Sequence, residues 1–197
     1  MRKYLFVVLA LFLSTISFAQ NNDLFDDGHL TFKGLSLTGP LDDFVSNLVS
    51  QGYTLKGSQT VGALLKGSFA SESDCTIAVL TTKRTHQVYC VAVSFEKKTS
   101  WSSLKIQYQE YKSMLSTKYG EPSKHIERFS SPYYEGDGYE LQALRLDKCN
   151  YTSFYDLSNG SVMLTMSNDG SLILYYSDKE GNELNDREER MNAMSDL

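Results

Sequence analysis

The side chains that most often perform chemistry in proteins are present in this sequence, but they are not spaced for it. The three histidines, His29, His86 and His125, fall in a polar leader, in a predicted turn and at the start of a predicted strand. No two of them share a helix face or the spacing of metal ligands, so we expect no metal site. The thirteen glycines are scattered and form no phosphate-binding loop, and no nucleophile elbow is present. The sequence therefore predicts no catalytic, metal-ligating or cofactor-binding residue, and no cofactor.

The three cysteines, Cys75, Cys90 and Cys149, are an odd number, so at least one of them stays free or pairs with another chain. None has the C-x-x-C spacing of a redox or zinc site. Cys75 and Cys90 lie on two predicted strands whose expected register pairs Cys75 with Ser94, which leaves the two sulfur atoms roughly 13 Å apart along the strands. Two interpretations remain: a disulfide between Cys75 and Cys149, and three small buried hydrophobic side chains, which we favour.

Tyrosines are the best candidates for recognition. The longest predicted connection in the second half of the chain, 130–138, carries Tyr133 and Tyr134 next to glycines. Such a pair presents large, stiff and amphipathic contact area at a small cost in conformational entropy. Tyr151 and Tyr155 share one side of a predicted strand because side chains alternate along it, and we expect part of this aromatic surface to lie away from the core. These four tyrosines are the predicted binding residues; the competing interpretation is that one ring of the loop pair packs on its own sheet.

Composition and charge narrow the class of protein. Of the 197 residues, 41% are hydrophobic and 22% are charged, which is typical of a soluble globular protein with one domain or two tightly packed halves. The formal net charge of −5 argues against nucleic acid and against an anionic membrane surface as partners.

The amino-terminal segment has the pattern of an export signal. A short basic start is followed by the unbroken apolar run 4–13 and then by small residues, so we predict cleavage between Ala19 and Gln20. The apolar run is about half as long as the roughly twenty residues that a membrane-spanning helix needs. We therefore expect residues 1–19 to be a signal peptide, and the mature chain to be periplasmic or extracellular without membrane insertion.

Hydrophobic periodicity predicts one helix and several strands in the first half of the mature chain. After a polar leader over 20–29, residues 29–37 alternate weakly and indicate a strand. A helix is predicted with Pro40 as its first residue and with its end before Gly52. Further strands are predicted at 53–56, 63–69, 75–81 and 87–95.

The second half follows the same order. A helix is predicted to open at Thr99 and Ser100 and to run to about Tyr119, because its apolar side chains are spaced three or four residues apart. The predicted strands are 124–129, 139–146, 149–157, 161–166 and 171–176, and the last three are separated by Asn-Gly and Asp-Gly turns. Residues 179–197 form a charged carboxy-terminal tail, which we expect to fray or to form a short surface helix.

Because one helix and four or five strands occur twice in the same order, we predict a tandem duplication, with a first repeat over 30–98 and a second over 99–178. The predicted fold class is α+β: two helix-plus-four-strand repeats form an antiparallel sheet, with the helices packed on one face.

Two resemblances extend this interpretation. The segment FKGLSLTGPLDDF at 32–44, continuing to Leu48, Gly52 and Tyr53, resembles the opening of small exported proteins of unknown function from Gram-negative gut bacteria. The repeated order of elements resembles the tandem architecture of the β-lactamase inhibitor proteins over most of 30–178, although the disulfide expected inside each repeat of that family is absent. This second resemblance implies a curved antiparallel sheet with helices on one face and a protein-binding surface on the other.

The predicted function is an exported binding or interaction module that recognises a protein, a peptide or another envelope component. Its expected binding surface is the sheet face together with the loop between Ser130 and Gly138. The alternative is an exported hydrolase-like enzyme whose site is assembled from residues distant in sequence. An aromatic surface without converging titratable groups would favour binding, whereas a deep pocket holding cysteine or histidine against a carboxylate would favour the enzyme. The oligomeric state stays open.

Overall fold

A computed structural model describes residues 28–195 of the chain. The predicted signal peptide, its cleavage site between Ala19 and Gln20, and nearly all of the predicted polar leader lie outside the described residues. In chain order, the helices and strands within 28–195 are β1 (Thr31–Phe32), β2 (Leu35–Ser36), α1 (Leu41–Ser50), β3 (Thr54–Gln59), β4 (Gly62–Phe69), β5 (Glu72–Thr81), β6 (Val88–Ser94), α2 (Trp101–Tyr119), β7 (Lys124–Phe129), α3 (Glu140–Arg145), β8 (Cys149–Leu157), β9 (Gly160–Met166), β10 (Leu172–Asp178) and α4 (Lys179–Ser195).

Eight strands form one antiparallel sheet with the order β3-β4-β5-β6-β10-β9-β8-β7, and β1 and β2 form a separate hairpin. Each half of the chain contributes four neighbouring strands. The last strands of the two halves, β6 and β10, pair with each other at the centre of the sheet. This arrangement confirms the predicted α+β class with an antiparallel sheet.

The pairing of the strands assigns their side chains to two faces, because successive side chains point to opposite sides. One row of cross-strand neighbours consists of Ser153, Leu164, Leu174, Val93 and Ile77. All five side chains are buried. The hydroxyl of Tyr108 in α2 lies 2.7 Å from the Ser153 hydroxyl, so α2 packs on this side of the sheet. We call this side the inner face and the opposite side the outer face.

Local signals set the ends of α1 and α2. Pro40 has an extended backbone (φ −68°, ψ 143°) and precedes the first turn, so α1 begins one residue later than expected. Ser100 caps α2, because its hydroxyl oxygen accepts a hydrogen bond from the Ser103 amide. Gly120, at φ +88°, ends α2. The apolar faces of the two helices lie in one hydrophobic core with the inner-face residues: Leu41, Phe44, Val45, Leu48, Leu104, Tyr108, Tyr111 and Leu115.

The strand predicted over 139–146 is wrong, because residues Glu140–Arg145 form the short helix α3. The segment ELQALR consists of strong helix formers, and its buried residues, Ala143 and Leu144, are adjacent instead of alternating. The loop before α3 is held by a hydrogen bond next to the first turn of the helix, because Asp137 accepts from the Tyr139 amide at 2.7 Å. The period of so short an apolar run does not distinguish a helix from a strand.

All three cysteines are free and buried. The alternative of a disulfide between Cys75 and Cys149 is wrong, because β5 and β8 are separated by β6, β10 and β9. Neighbouring strands lie about 4.8 Å apart, so the two sulfur atoms are several strand spacings from each other.

The expected register between β5 and β6 is wrong by one residue. Thr76, and not Cys75, is the partner of Ser94, and an irregularity in the pairing lies between Leu80 and Thr81. Such a bulge changes the register without leaving a mark in the alternating pattern.

The charged tail forms α4, a helix of 17 residues, where we expected a frayed segment or a short surface helix. The helix contacts β6, β9 and β10. It buries the carboxylate of Glu188, which the charge pattern of the segment does not indicate.

Replacing Leu115 by Ala should lower the free energy of unfolding by about 2–5 kcal/mol, because the substitution removes an enclosed core side chain. Leu115 is 6% exposed, whereas its neighbour Met114 is 50% exposed. Met114→Ala is therefore the matched control and should change stability by about 0.5 kcal/mol or less. Denaturant titration followed by circular dichroism measures both. An unchanged midpoint for Leu115→Ala would contradict the packing of α2.

Candidate interaction surface

Two of the four predicted binding residues, Tyr151 and Tyr155, lie in the core. Their side chains are 3% and 1% exposed. The Tyr151 hydroxyl donates to Glu135 Oε2 at 3.2 Å, and the Tyr155 hydroxyl donates to the Lys112 carbonyl at 3.0 Å. The expected alternation along β8 is correct, but the side that carries both rings is the inner face beneath α2. Neither ring can therefore contact a partner on the surface, and their assignment as binding residues is wrong.

The other two predicted binding residues, Tyr133 and Tyr134, differ from each other. Tyr134 is 64% exposed, whereas Tyr133 is half-buried and packs against the core. The Tyr133 hydroxyl accepts a hydrogen bond from Gln142 Nε2 at 3.1 Å. Asp137 accepts a hydrogen bond from the Tyr134 amide at 3.1 Å, so the loop holds one ring inward and the other outward.

Glu135 ties this loop to the helix side of the molecule. Its carboxylate pairs with Lys105 of α2 and accepts the hydrogen bond from Tyr151. The hydrogen bond from Lys105 is the main reason that the pKa of Glu135 lies below its usual range. The loop 130–138 therefore lies beside α2 and the inner face, and it does not form one continuous surface with the outer face.

The outer face presents an uncharged row that crosses six strands. Its members are successive cross-strand partners from β4 to β8: Leu64, Ala78, Ala92, Tyr175, Met163 and Phe154. Directly opposed side chains in neighbouring strands lie about 5 Å apart. The row is therefore a continuous strip of apolar and aromatic side chains, and it passes through the centre of the sheet.

The rows on both sides of this strip are also uncharged on the four central strands. Three outer-face positions on each of β5, β6, β10 and β9 carry small, hydroxyl or apolar side chains: Thr76, Ala78, Leu80, Cys90, Ala92, Ser94, Ile173, Tyr175, Ser177, Ser161, Met163 and Thr165. All of them are half-buried except Cys90, which is buried. Charged side chains on this face lie farther out, at Lys66, Lys124 and Asp156.

At one end of the strip, the outer face contains a groove of about 310 Å³ beside the hairpin of β3 and β4. Gly57, Gly62 and Ala78 are among its lining residues, and these small residues leave room for a side chain from outside. Val61 and Leu64 also line the groove and are 49% exposed each. The groove therefore continues the apolar strip towards the edge of the sheet.

The thiol on this face is not suited to nucleophilic chemistry. Burial raises the pKa of Cys90 to about 12, although a hydrogen bond with Ser177 opposes the rise. A thiol with such a pKa is protonated at neutral pH, and the thiolate is the reactive form. Cys90 therefore gives no support to the hydrolase alternative.

The contact between His29 and Asp178 also has a structural explanation. His29 Nδ1 lies 3.0 Å from Asp178 Oδ2. The same carboxylate accepts hydrogen bonds from the Leu30 amide at 2.8 Å and from the Gly181 amide at 2.9 Å. Asp178 thus caps the amino terminus of α4 and holds the segment at His29 and Leu30 against it.

Two properties of the described residues concern metal binding and membrane insertion. Within residues 28–195, no group of three or more His, Cys, Asp and Glu side chains is placed to hold a metal ion. None of the helices in that range is both long enough and apolar enough to cross a membrane.

No protein-family model matches the chain, and no curated protein and no solved structure is significantly similar to it. The two resemblances noted in the sequence therefore stay expectations, and function is inferred from the surfaces of the chain itself.

None of the residues predicted to bind a partner lies on the outer face, although the sequence contains a pattern that indicates this surface. The positions that alternate with the buried residues of β5, β6, β9 and β10 would be expected to carry charges on a solvated sheet. They carry uncharged side chains instead, and this signal becomes interpretable only when the pairing of the strands shows that these positions are neighbours.

The two loop tyrosines should respond differently to substitution. Tyr134→Ser should change the free energy of unfolding by about 0.5 kcal/mol or less, because the ring is exposed. Tyr133→Ser should destabilise the fold by about 1–2 kcal/mol, because it removes a partly buried ring and its hydrogen bond with Gln142. Thermal and denaturant unfolding measure both, and the reverse order of effects would contradict the described loop.

The buried tyrosines should make the fold sensitive to alkali. Burial is the main cause that raises the pKa of Tyr108, Tyr111, Tyr151 and Tyr176 above the ordinary value. Because the folded chain favours the protonated hydroxyls, their contribution to stability is complete below a pH of about 10 and is lost as the pH rises further.

In an alkaline titration, part of the tyrosinate absorbance should appear together with the loss of near-ultraviolet circular dichroism. Reversible ionisation of every tyrosine in a chain that keeps its native dichroism would contradict this burial.

Proposed function

We propose that this protein is an exported binding module that engages a protein or peptide through the outer face of its sheet. The observation that carries the proposal is the uncharged strip from Leu64 to Phe154, which lies on the side of the sheet opposite α2. A solvated face of an antiparallel sheet normally alternates polar side chains with the buried ones. A contiguous apolar patch with polar surroundings is typical of an interaction site.

The composition of the strip supports a macromolecular partner. The half of the strip that lies on β10, β9 and β8 contains Tyr175, Met163 and Phe154, and aromatic residues and methionine are enriched in the cores of protein interfaces. Lys66 and Asp156 lie towards its borders on the same face, and a polar rim around an apolar core is the usual arrangement. Mostly small and hydroxyl-bearing side chains fill the remaining positions, so a partner can approach the sheet closely.

We also propose that the two halves of the chain are tandem repeats with α1 and α2 on one face. Each half consists of a helix followed by four strands, and α3 is inserted after the first strand of the second half. The strand order is sequential in both halves, and the halves meet through their last strands. The same order underlies the resemblance to the β-lactamase inhibitor proteins, which remains one of element order.

The proposal includes export. The basic start, the apolar run 4–13 and the expected cleavage between Ala19 and Gln20 support a periplasmic or extracellular location. On either side of an outer membrane, a binding module would meet proteins, peptides and other envelope components.

Site-specific photo-crosslinking in the native host tests the outer face directly. A photoreactive residue at Ala92, at the centre of the strip, should label a discrete partner, and one at the exposed Gln109 of α2 should not. Met163→Glu should reduce labelling from Ala92 by about tenfold or more, because it places an unpaired charge inside the interface. The variant Gln109→Glu is the matched control for the added charge.

Unfolding curves for both variants must show the native fold before labelling is compared. Equal labelling from both positions, or labelling from Ala92 that survives Met163→Glu in a folded chain, would contradict the proposal.

A further inference from the structure

The contact face of α4 is unusually polar for a helix that packs on a sheet. The residues withdrawn from solvent are Gly181, Leu184, Asn185 and Glu188, at the spacing of one helix face, and all other residues of the helix are exposed. Leu184 is the single apolar side chain among the four, and it is only half-buried. Burial of apolar surface, the main force that holds helices on sheets, therefore contributes little to the docking of α4.

The turn between β5 and β6 holds the distal part of α4 through one carboxylate. Glu188 is 2% exposed. Its two oxygens accept hydrogen bonds from the Arg84 amide at 2.6 Å, from the Thr85 amide at 3.3 Å and from the Thr85 hydroxyl at 2.7 Å. Nearby, Lys83 and Glu189 form an ion pair at 3.0 Å, but both side chains are about half exposed and such pairs add little stability.

The Glu188 carboxylate is ionised at neutral pH. Burial by itself raises its pKa, but the hydrogen bonds from Thr85 and from the amides of Arg84 and Thr85 outweigh burial and bring the pKa below its usual range. The contact is therefore a set of charge-assisted hydrogen bonds, which are stronger than neutral ones.

The first turn of α4 is held in place by its connection to β10 and by a helix cap. The helix follows β10 directly, and Asp178 caps it through the Gly181 amide. Gly181 lies so close to β6 that a Cβ atom added there would be 2.5 Å from the Tyr89 Cβ. A side chain at this position would push the helix away from the sheet.

α4 lies over the end of the outer face that carries Cys90. Cys90 pairs with Leu80 and Ser177. Ser177 and Ser161 border a groove together with Asn182, Glu183 and Asp186 of α4. Cys90 is buried, whereas its outer-face neighbours on the adjacent strands, Leu80 and Ser177, are half-buried.

We propose that α4 is a releasable cover on one end of the outer face, held closed by Glu188 on the turn between β5 and β6. It opens as a unit while the eight-stranded sheet stays folded. This regulatory role rests on the proposed function. Opening of α4 extends the binding surface beyond the strip. A partner that contacts Cys90, Ser161 and Ser177 therefore competes with the helix for this surface.

Amide hydrogen exchange on the whole chain tests the opening without any partner. In the parent chain, the amides of α4 should exchange faster than those of β6 and β10. Glu188→Gln keeps the shape of the side chain but removes its charge and one acceptor, so it should accelerate exchange in α4 by about tenfold or more. Exchange in β6 and β10 should stay unchanged. Glu180→Gln, at an exposed position of the same helix, is the matched control and should leave all rates unchanged.

A second variant tests the docking without touching the carboxylate. Gly181→Ala favours the helix itself but places a methyl group against Tyr89, so it should also accelerate exchange in α4. The proposal is wrong if the amides of α4 exchange as slowly as those of β6 and β10 in all three chains, namely the parent and the two variants. The helix would then be part of the cooperative core. Equal acceleration of all three elements leads to the same conclusion.

The cysteines show whether the helix covers the outer face. Both variants should increase the rate at which a maleimide labels Cys90 in the folded chain by about tenfold or more. Labelling of Cys75 and Cys149, which belong to the inner core, should not change. Faster exchange in α4 without faster labelling of Cys90 would refute the role as a cover. None of these measurements uses a partner, so failure of the crosslinking experiment and failure of the cover are distinguishable.

Discussion

The antiparallel pairing between β6 and β10 is the contact on which the rest of the structure depends. It joins two four-stranded units into one sheet through the residue pairs from Ser94 with Ile173 to Cys90 with Ser177. Val93 and Leu174 meet on the inner face at this seam, and Ala92 and Tyr175 meet on the outer face. Without the seam the core would be divided, the apolar strip would be interrupted at its centre, and α4, which follows β10, would lose its contact with β6.

The two faces of the sheet have different roles because side chains alternate along every strand. The inner face carries large apolar residues that share one hydrophobic core with the apolar residues of α1 and α2, so it supplies most of the stabilisation from burial. The outer face needs no large residues for folding, and its mostly small and hydroxyl-bearing side chains are compatible with solvent. The aromatic and methionine side chains along its central strip are the residues on which the proposed interaction rests.

Three carboxylates hold peripheral segments in place; Asp178 and Glu188 are buried, and Glu135 is exposed. Asp178 fixes the amino-terminal segment and caps α4, Glu188 holds the distal part of α4, and Glu135 fixes the tyrosine loop against α2. Each accepts hydrogen bonds from groups far away in the sequence, from backbone amides or a tyrosine hydroxyl. These contacts are specific but bury little apolar surface, so the segments that they hold can open at a lower free energy than the core strands.

The sequence by itself determined the parts of the structure that depend on local patterns. The span of β8, the tight turn at Ser158 and Asn159, and the start of α2 after Ser100 all follow from alternation, turn residues and capping groups that act within a few positions. The helical faces of α1 and α2 were equally predictable, because an amphipathic period of 3.6 residues persists over several turns.

Only the tertiary structure decided which of the two sides of each strand is covered. The period of β8 places Tyr151 and Tyr155 together, but it does not state that α2 lies above them. The irregularity between Leu80 and Thr81 shifts the register of β5 and β6 by one residue, and the short segment at α3 is compatible with either period. The burial of Glu188 and the continuity of the outer-face strip depend on residues that are dozens of positions apart. Their proximity arises from the pairing of strands, and a local sequence pattern carries no information about it.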